Sequence, residues 1–159
     1  MTSAAVNISS RWMLDTNIIS HAIRSPLGPL ALRLQRVNAE APDSLCTSLL
    51  VECELAFGIA KLGPTGRATA LARKVDVVLQ FVSPQPLDTA LIAHYATIRA
   101  HLERVGTPIG PNDTLIAAHA LALDCTLVTD NEDKFRRVPG LRVENWLKEA
   151  AATEANVPT

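Results

Sequence analysis

The sequence predicts an α/β fold in which a short parallel sheet is flanked by helices on both faces. Its 159 residues are enough for one domain with a substantial core. The composition, 48% hydrophobic and 19% charged, is typical of a globular protein rather than a disordered one. Short apolar segments of strand type also alternate with helical segments along the chain, and this alternation is typical of parallel sheets.

The first half of the chain is predicted to form two strands and four helices. The predicted strands are 11–14 and 45–47, and the predicted helices are 17–24, 29–38, 48–62 and 68–82. Pro29 suits the first turn of its helix, and Thr47 or Ser48 caps the next one. The fourth helix is predicted from apolar residues at i, i+3, i+4 and i+7 spacing.

The second half is predicted to add two strands and three helices. Residues 83–86 contain two prolines and are interpreted as a linker. The predicted helices are 91–105, 114–123 and one from 146 onward, and the predicted strands are 125–129 and 141–143. Asp88 is expected to cap the first of these helices, and Asn112 or Asp113 the second. Residues 130–134 are expected to form a polar loop.

Composition also limits the cellular setting. The net charge of −1 gives no global signal for nucleic acid, so any such surface must be local. The three cysteines, which are Cys46, Cys53 and Cys125, are expected to be buried thiols in a reducing cytoplasm. No apolar run reaches the ~20 residues of a membrane helix, so no membrane association is expected. Residues 1–12 are interpreted as a flexible extension, and translation could start at Met1 or Met13.

Carboxylates stand at the ends of predicted elements in four parts of the chain. They are Asp15, the pair Glu52 and Glu54, Asp113 and Asp130. In parallel sheets, sites form beyond the carboxyl ends of the strands, and Asp15 and Asp130 each follow a predicted strand directly. Because unpaired buried carboxylates are costly, their convergence suggests a shared cation. Oxygen ligands suit Mg²⁺ or Mn²⁺, and such a site is typical of phosphodiester cleavage.

Each of these residues also has an ordinary structural interpretation. Asp15 and Asp113 could simply cap helices, and Asp130 with Asn131 could form a turn. Glu52 and Glu54 are two residues apart on a helix, so only one of them can face a common site. Periodicity does not choose between them, because the segment is apolar almost all round.

Four stretches resemble the VapC toxin branch of the PIN-domain ribonucleases, which belong to bacterial type II toxin–antitoxin systems. The stretches are MLDTNIIS at 13–20, ELAFGIAK at 54–61, PIGPNDTLIAAHA at 108–120, and a C-terminal block of LVTDNEDKF at 127–135 with RVPGLRVENW at 137–146. The resemblance covers about residues 13–147, which it assigns to a PIN domain, with 148–159 as a helix end and tail. It implies a PIN-like α/β/α sandwich.

The resemblance also implies a site. It selects Glu54 over Glu52 and makes Asp15 and Asp113 the principal Mg²⁺ ligands, with Mn²⁺ as an alternative. A fourth position falls on Asp130 or Asn131, and the choice between them stays open. The remaining candidates are polar residues expected to support the carboxylates from a second layer: Thr16, Asn17 and Asn112.

The implied function is an Mg²⁺-dependent endoribonuclease toxin that cleaves cellular RNA, tRNA or rRNA, in the cytoplasm. The implied partners are the RNA substrate and a VapB-type antitoxin that neutralises the toxin. A homodimer is also expected, and the apolar helices at 71–82 and 91–105 are expected to supply the surface for a homodimer or for the antitoxin. Two alternatives remain: a degenerate PIN domain that binds RNA or protein without cutting, and an Mg²⁺ phosphohydrolase. The second alternative usually needs a second Asp two residues after the first, where this chain has Asn17.

Overall fold

The computed structural model describes residues 10–156, in which eight helices and five strands alternate. The strands are β1 (Trp12–Leu14), β2 (Leu45–Ser48), β3 (Ser83–Gln85), β4 (Thr126–Val128) and β5 (Val143–Glu144). The helices are α1 (Thr16–Arg24), α2 (Pro29–Glu40), α3 (Leu49–Ala60), α4 (Gly66–Leu79), α5 (Leu91–Arg104), α6 (Pro111–Ala122), α7 (Glu132–Phe135) and α8 (Trp146–Ala155). No helix among the described residues is long and apolar enough to span a membrane.

The five strands form one parallel sheet in the order β3-β2-β1-β4-β5. Leu14, at the end of β1, lies opposite Thr47 on one side and Val128 on the other. The residues that follow β1, β2 and β4 therefore emerge at one edge. Strands β2 and β4 are buried along their whole length, as expected for a sheet covered by helices on both faces. The predicted α/β/α sandwich is confirmed.

The strand order places a crevice between β1 and β4. The chain first moves outward from β1 to β2 and β3, and then returns to the other side of β1 for β4 and β5. The order of the strands along the chain therefore reverses between β1 and β4. Open parallel sheets bind ligands at such a switch point, beyond the carboxyl ends of the strands.

Tryptophans join the C-terminal helix to the sheet. The rings of Trp12 in β1 and Trp146 in α8 meet edge to face with centroids 5.7 Å apart. The guanidinium group of Arg33 in α2 lies 4.0 Å from the centroid of the Trp146 ring. Trp146 is fully buried. Both aromatic residues are therefore packing groups, and α8 is part of the folded unit.

Three predicted elements of the second half are wrong in type or position. Residues 83–86, predicted as a linker, contain β3, because an edge strand tolerates Pro84 where a central strand would not. The predicted polar loop 130–134 contains the one-turn helix α7, which buries Phe135. The last strand is β5 rather than 141–143, since the turn after Gly140 places Val143 opposite Leu127.

Helix starts also differ from the prediction. Helix α6 begins at Pro111 with Gly110 as its N-cap, so Asn112 and Asp113 lie inside the first turn and do not cap it. Asp88 does not cap α5 either, because its carboxylate accepts from the Ala90 amide before the helix begins. Ser48, rather than Thr47, caps α3, with its hydroxyl accepting from the Leu50 amide.

Two expectations about other parts of the chain have different outcomes. Cys53 is exposed, in contrast to Cys46 and Cys125, because only one face of α3 packs against the protein. The predicted extension 1–12 lies largely outside the described residues, and its last residue, Trp12, belongs to β1.

Candidate active site

Asp15 lies directly after β1, at the crevice between β1 and β4. Its side chain is buried, with 5% of the residue exposed. One carboxylate oxygen, Oδ1, accepts from the Thr16 amide at 2.8 Å, which makes Asp15 the N-cap of α1. The other, Oδ2, accepts from the Thr129 hydroxyl at 2.8 Å. Asp15 can therefore cap α1 and also belong to the candidate site, because its carboxylate serves both roles.

Thr129 is a site residue that the sequence analysis did not select. It follows β4, is fully buried, and its hydroxyl donates to Asp15 while accepting from the Asn131 amide at 3.1 Å. Asn17 joins the same network, since its Oδ1 accepts from the Asp130 amide at 3.1 Å. A buried polar residue directly after an apolar strand was the available signal. These bonds tie the β1 and β4 loops together.

Glu54 reaches the site from α3, on the other side of β1. Its Oε2 accepts a hydrogen bond from the hydroxyl of Thr16, the first residue of α1. The side chains of Thr16 and Glu54 line a common cavity of about 310 Å³ with Ser20 and Arg24. Thr16 therefore contacts both Asp15 and Glu54: its amide donates to Asp15, and its hydroxyl donates to Glu54.

Asp113 enters from the first turn of α6. Its Oδ2 is 2.7 Å from the Nζ of Lys134, which lies in α7. The sequence analysis missed Lys134, because a lysine in an apparent polar loop gives no signal of its own.

Asp130 and Asn131 do not join the three carboxylates. The Oδ1 of Asp130 accepts from the Asn145 amide group at 3.2 Å, and Asn145 in turn caps α8. Asn131 is exposed and contributes its backbone amide to Thr129. Asn112 is also exposed, and within residues 10–156 its side chain makes no hydrogen bond to these carboxylates. Asp130 therefore supports the C-terminal helix in this structure.

The electrostatics of Asp15 show that the charges of two other carboxylates act on it. Burial raises the pKa of Asp15 above its ordinary value of 3.8, and the negative charges of Asp113 and Glu54 raise it further. The hydrogen bonds from Thr129 and Thr16 act in the opposite direction. Asp15 is therefore the residue at which the negative charges of this site meet.

This donor set fits a divalent cation in its chemistry, although it is not closed around one. Among residues 10–156, no three His, Cys, Asp or Glu side chains converge tightly enough to form a metal-binding group. The carboxylates nevertheless offer only oxygen atoms, which Mg²⁺ prefers, and their mutual repulsion is the feature that a cation would relieve. The ammonium group of Lys134 supplies some of the positive charge that such a cation would bring to Asp113.

Comparison with known proteins identifies the family. The family model for the PIN domain matches residues 12–141. The tRNA(fMet)-specific endonuclease VapC of Salmonella typhimurium is 36% identical over 139 residues, covering 86% of this chain and 98% of the relative. Ribonuclease VapC2 of Rickettsia felis is 34% identical over 137 residues, with the same coverage of both chains. The chain belongs to the PIN-domain family and to its VapC branch.

Solved structures agree with this assignment. VapBC2 from Rickettsia felis, bound to a DNA fragment from its promoter, contains a chain with a TM-score of 0.76 and 32% identity, and the match covers 85% of this chain and 98% of that one. DNA-bound VapBC from Salmonella typhimurium gives a TM-score of 0.75 and 30% identity, with 86% and 98% coverage. The sequence-based resemblance to the VapC branch is therefore confirmed.

Proposed function

We propose that this protein is an Mg²⁺-dependent endoribonuclease toxin that a VapB-type antitoxin neutralises. The observation that carries the proposal is the buried carboxylate of Asp15 at the switch point of the sheet, which Thr16 links to Glu54 and whose pKa the charges of Asp113 and Glu54 help to raise. The VapC relatives that match this chain are named as ribonucleases, and one is a tRNA-specific endonuclease, which favours RNA and, within RNA, tRNA over rRNA. The VapBC complexes among its structural neighbours support the antitoxin partner.

In this proposal the three carboxylates have separate roles. Asp15 and Asp113 hold Mg²⁺, or Mn²⁺ in its place, directly or through water. When bound, the ion lowers the pKa of a coordinated water molecule and offsets the charge that develops on the phosphate. Glu54 orients the attacking water and accepts its proton. Its hydrogen bond from Thr16 fixes the carboxylate in place for this role.

The surrounding polar residues hold Asp15 in place and oppose the effect of burial on its charge. The Thr129 hydroxyl and the Thr16 amide both donate to it, and each bond favours the charged form against the effect of burial. Asn17 fixes the loop that carries Thr129 through its bond to the Asp130 amide. The loops after β1 and β4 therefore act as one rigid support for the carboxylate.

The proposal is tested by incubating the purified protein with total bacterial RNA in Mg²⁺, in chelator, and as the variant Asp113→Asn. Discrete fragments are expected from the wild-type protein with Mg²⁺. Chelator should abolish them, and Asp113→Asn should reduce cleavage at least about 100-fold, because the substitution removes a charge from the metal-binding set. Sequencing the fragment ends then identifies the RNA that is cut.

Asp43→Asn is the matched control. Asp43 is exposed in the turn before β2, and its φ of 66° is one that asparagine adopts readily. The control should cleave like the wild-type protein. A folded wild-type sample that cuts none of these RNAs, in Mg²⁺ or Mn²⁺, would contradict the proposal and favour the degenerate PIN domain. Cleavage that persists in Asp113→Asn would remove Asp113 from the site.

A further inference from the structure

Lys134 is held against the carboxylate site by the fold. It is part of α7, whose next residue, Phe135, is completely buried in the core. The backbone amides of Lys134 and Phe135 both donate to the Asn131 carbonyl at 3.2 Å, which closes the turn. The lysine side chain is 40% exposed, yet its Nζ lies 2.7 Å from Oδ2 of Asp113. A buried neighbour and a fixed turn therefore direct this ammonium group to Asp113.

Glu132, the first residue of α7, is already paired with two cations outside this helix. Glu132 forms ion pairs with Lys148 of α8 and with Arg136 one turn further along the chain. Glu132 therefore does not compete for Lys134, and Lys134 is not needed to neutralise it. The acceptor of the Lys134 ammonium group in this structure is Asp113.

We propose that Lys134 is a built-in cation of the carboxylate site, and that the site consequently takes one divalent metal ion rather than two. This inference rests on the metal dependence proposed above. The ammonium group of Lys134 lies 2.7 Å from a carboxylate oxygen of Asp113 and so supplies positive charge where a second metal ion would otherwise supply it. A second divalent ion beside the same carboxylate would be repelled by this ammonium group.

Geometry leads to the same conclusion. The two ions of a dinuclear site lie about 3.5–4 Å apart and share carboxylates between them. A dinuclear site that shared Asp113 between its ions would need both oxygens of this carboxylate, and one of them, Oδ2, already accepts from Lys134. A second cation near this oxygen would be close to the ammonium group and would be repelled by it. Lys134 thus takes the position and the charge of a second ion.

Mn²⁺ binding to the full-length chain tests this inference without any activity measurement. Isothermal titration calorimetry gives the number of ions, and electron paramagnetic resonance reports whether two Mn²⁺ ions are close enough to couple. We expect one uncoupled ion in the wild-type protein. Lys134→Glu should bind two coupled ions, because it replaces the cation with a fourth carboxylate. Lys134→Gln should bind the first ion about tenfold more tightly, since a nearby positive charge is removed.

Lys148→Gln is the matched control. It removes a lysine that is paired with α7 but has no contact with Asp113, so one ion of wild-type affinity is expected. Two coupled ions in the wild-type protein would overturn the role of Lys134 and leave the proposed ribonuclease intact. Wild-type affinity in Lys134→Gln would likewise overturn it, and this variant serves if Lys134→Glu does not fold. No Mn²⁺ binding at all would overturn both the inference and the proposed metal dependence.

Discussion

Asp15 combines a structural and a chemical role in one side chain. It caps α1 through one oxygen and accepts from Thr129 through the other, while its pKa is raised by burial and by two neighbouring carboxylates. A hydrogen bond to a charged group contributes about 1.5–3 kcal/mol. The two hydrogen bonds therefore offset part of the free-energy cost of burying the charged carboxylate.

His119 is a second buried titratable residue, on α6, and it lies outside the carboxylate group. It is 2% exposed, and its Nδ1 lies 2.9 Å from the hydroxyl of Ser48, the N-cap of α3. Its Nε2 is buried without a hydrogen-bond partner in the described part of the chain. Burial lowers the pKa of His119 below its ordinary value of 6.5, although the nearby Pro86 backbone and the charge of Asp88 oppose the shift.

This shift predicts a loss of stability in mild acid. Above pH 6.5 His119 is neutral in both states, but below it the unfolded chain takes up a proton that the folded protein resists. The free energy of unfolding should therefore fall as the pH decreases from 6.5 toward the folded pKa, by up to about 1.4 kcal/mol per pH unit. Urea denaturation at pH 7.5 and 5.5 measures the loss, which should be smaller in His119→Gln.

The matched control is His94→Gln. His94 is exposed on α5, so its replacement should leave the wild-type pH dependence unchanged. Parallel pH profiles for the wild-type protein and His119→Gln would contradict the assignment of the acid sensitivity to His119.

At the scale of the element, the start of α6 decides where Asp113 lies. Gly110 caps this helix with a φ of +95°, a conformation that side chains other than glycine rarely adopt. Pro111 follows at the first helical position, where its missing amide costs nothing. The Thr114 hydroxyl donates to the Gly110 carbonyl at 2.6 Å. Together these residues fix the turn that carries Asp113.

Gly110→Ala should therefore lower the free energy of unfolding, because alanine is strained at this backbone conformation. No atom lies within 4 Å of a Cβ built at this position, so the expected cost of about 1–3 kcal/mol comes from φ and not from a clash. Gly58→Ala is the matched control, because its Cβ also meets nothing within 4 Å but its position is inside α3. It should stabilise the protein by about 0.5–1 kcal/mol. Thermal or urea unfolding measures the stability of both variants. Equal changes in stability for Gly110→Ala and Gly58→Ala would contradict this explanation.

For the whole molecule, the sheet order explains why distant parts of the sequence meet. β1 is central, with β2 and β4 on either side, so α1, α3 and the β4 loop all approach its carboxyl end. Helix α1 packs against α2, α3 and α4, whereas α5 packs chiefly against α6. The exposed faces of α4 and α5 carry Val77 and Ile92, which are 59% and 60% exposed.

These exposed apolar residues bear on the homodimer that we expect from the sequence. If α5 contributes to the interface, Ile92→Glu should raise the dimer dissociation constant at least about tenfold, because a buried unpaired charge is costly. Sedimentation equilibrium of the purified chain measures this constant. Leu27→Glu is the control, since Leu27 is 86% exposed and lies between α1 and α2. A monomeric wild-type protein would contradict the expected dimer.

Much of this architecture follows from the sequence, because local signals are strong where apolar residues are periodic. Helix α4 was predictable from its i, i+3, i+4 pattern, and its two ends differ from the predicted 68–82 by two and three residues. Strand β3 was not predictable, because its three residues include Pro84 and adopt a strand conformation only through pairing with β2. Helix α7 and the register of β5 were missed for the same reason: short elements depend on their neighbours.

The sequence by itself determined the fold class, the family and the carboxylates that stand at element ends, because these depend on residue type and order along the chain. Tertiary structure alone decided that Asp130 turns toward Asn145 while Lys134 pairs with Asp113. It also decided that Thr129 holds Asp15. The direction of a side chain and its hydrogen-bond partner depend on packing between segments that here lie 15, 21 and 114 residues apart in the sequence, and no local pattern encodes that packing.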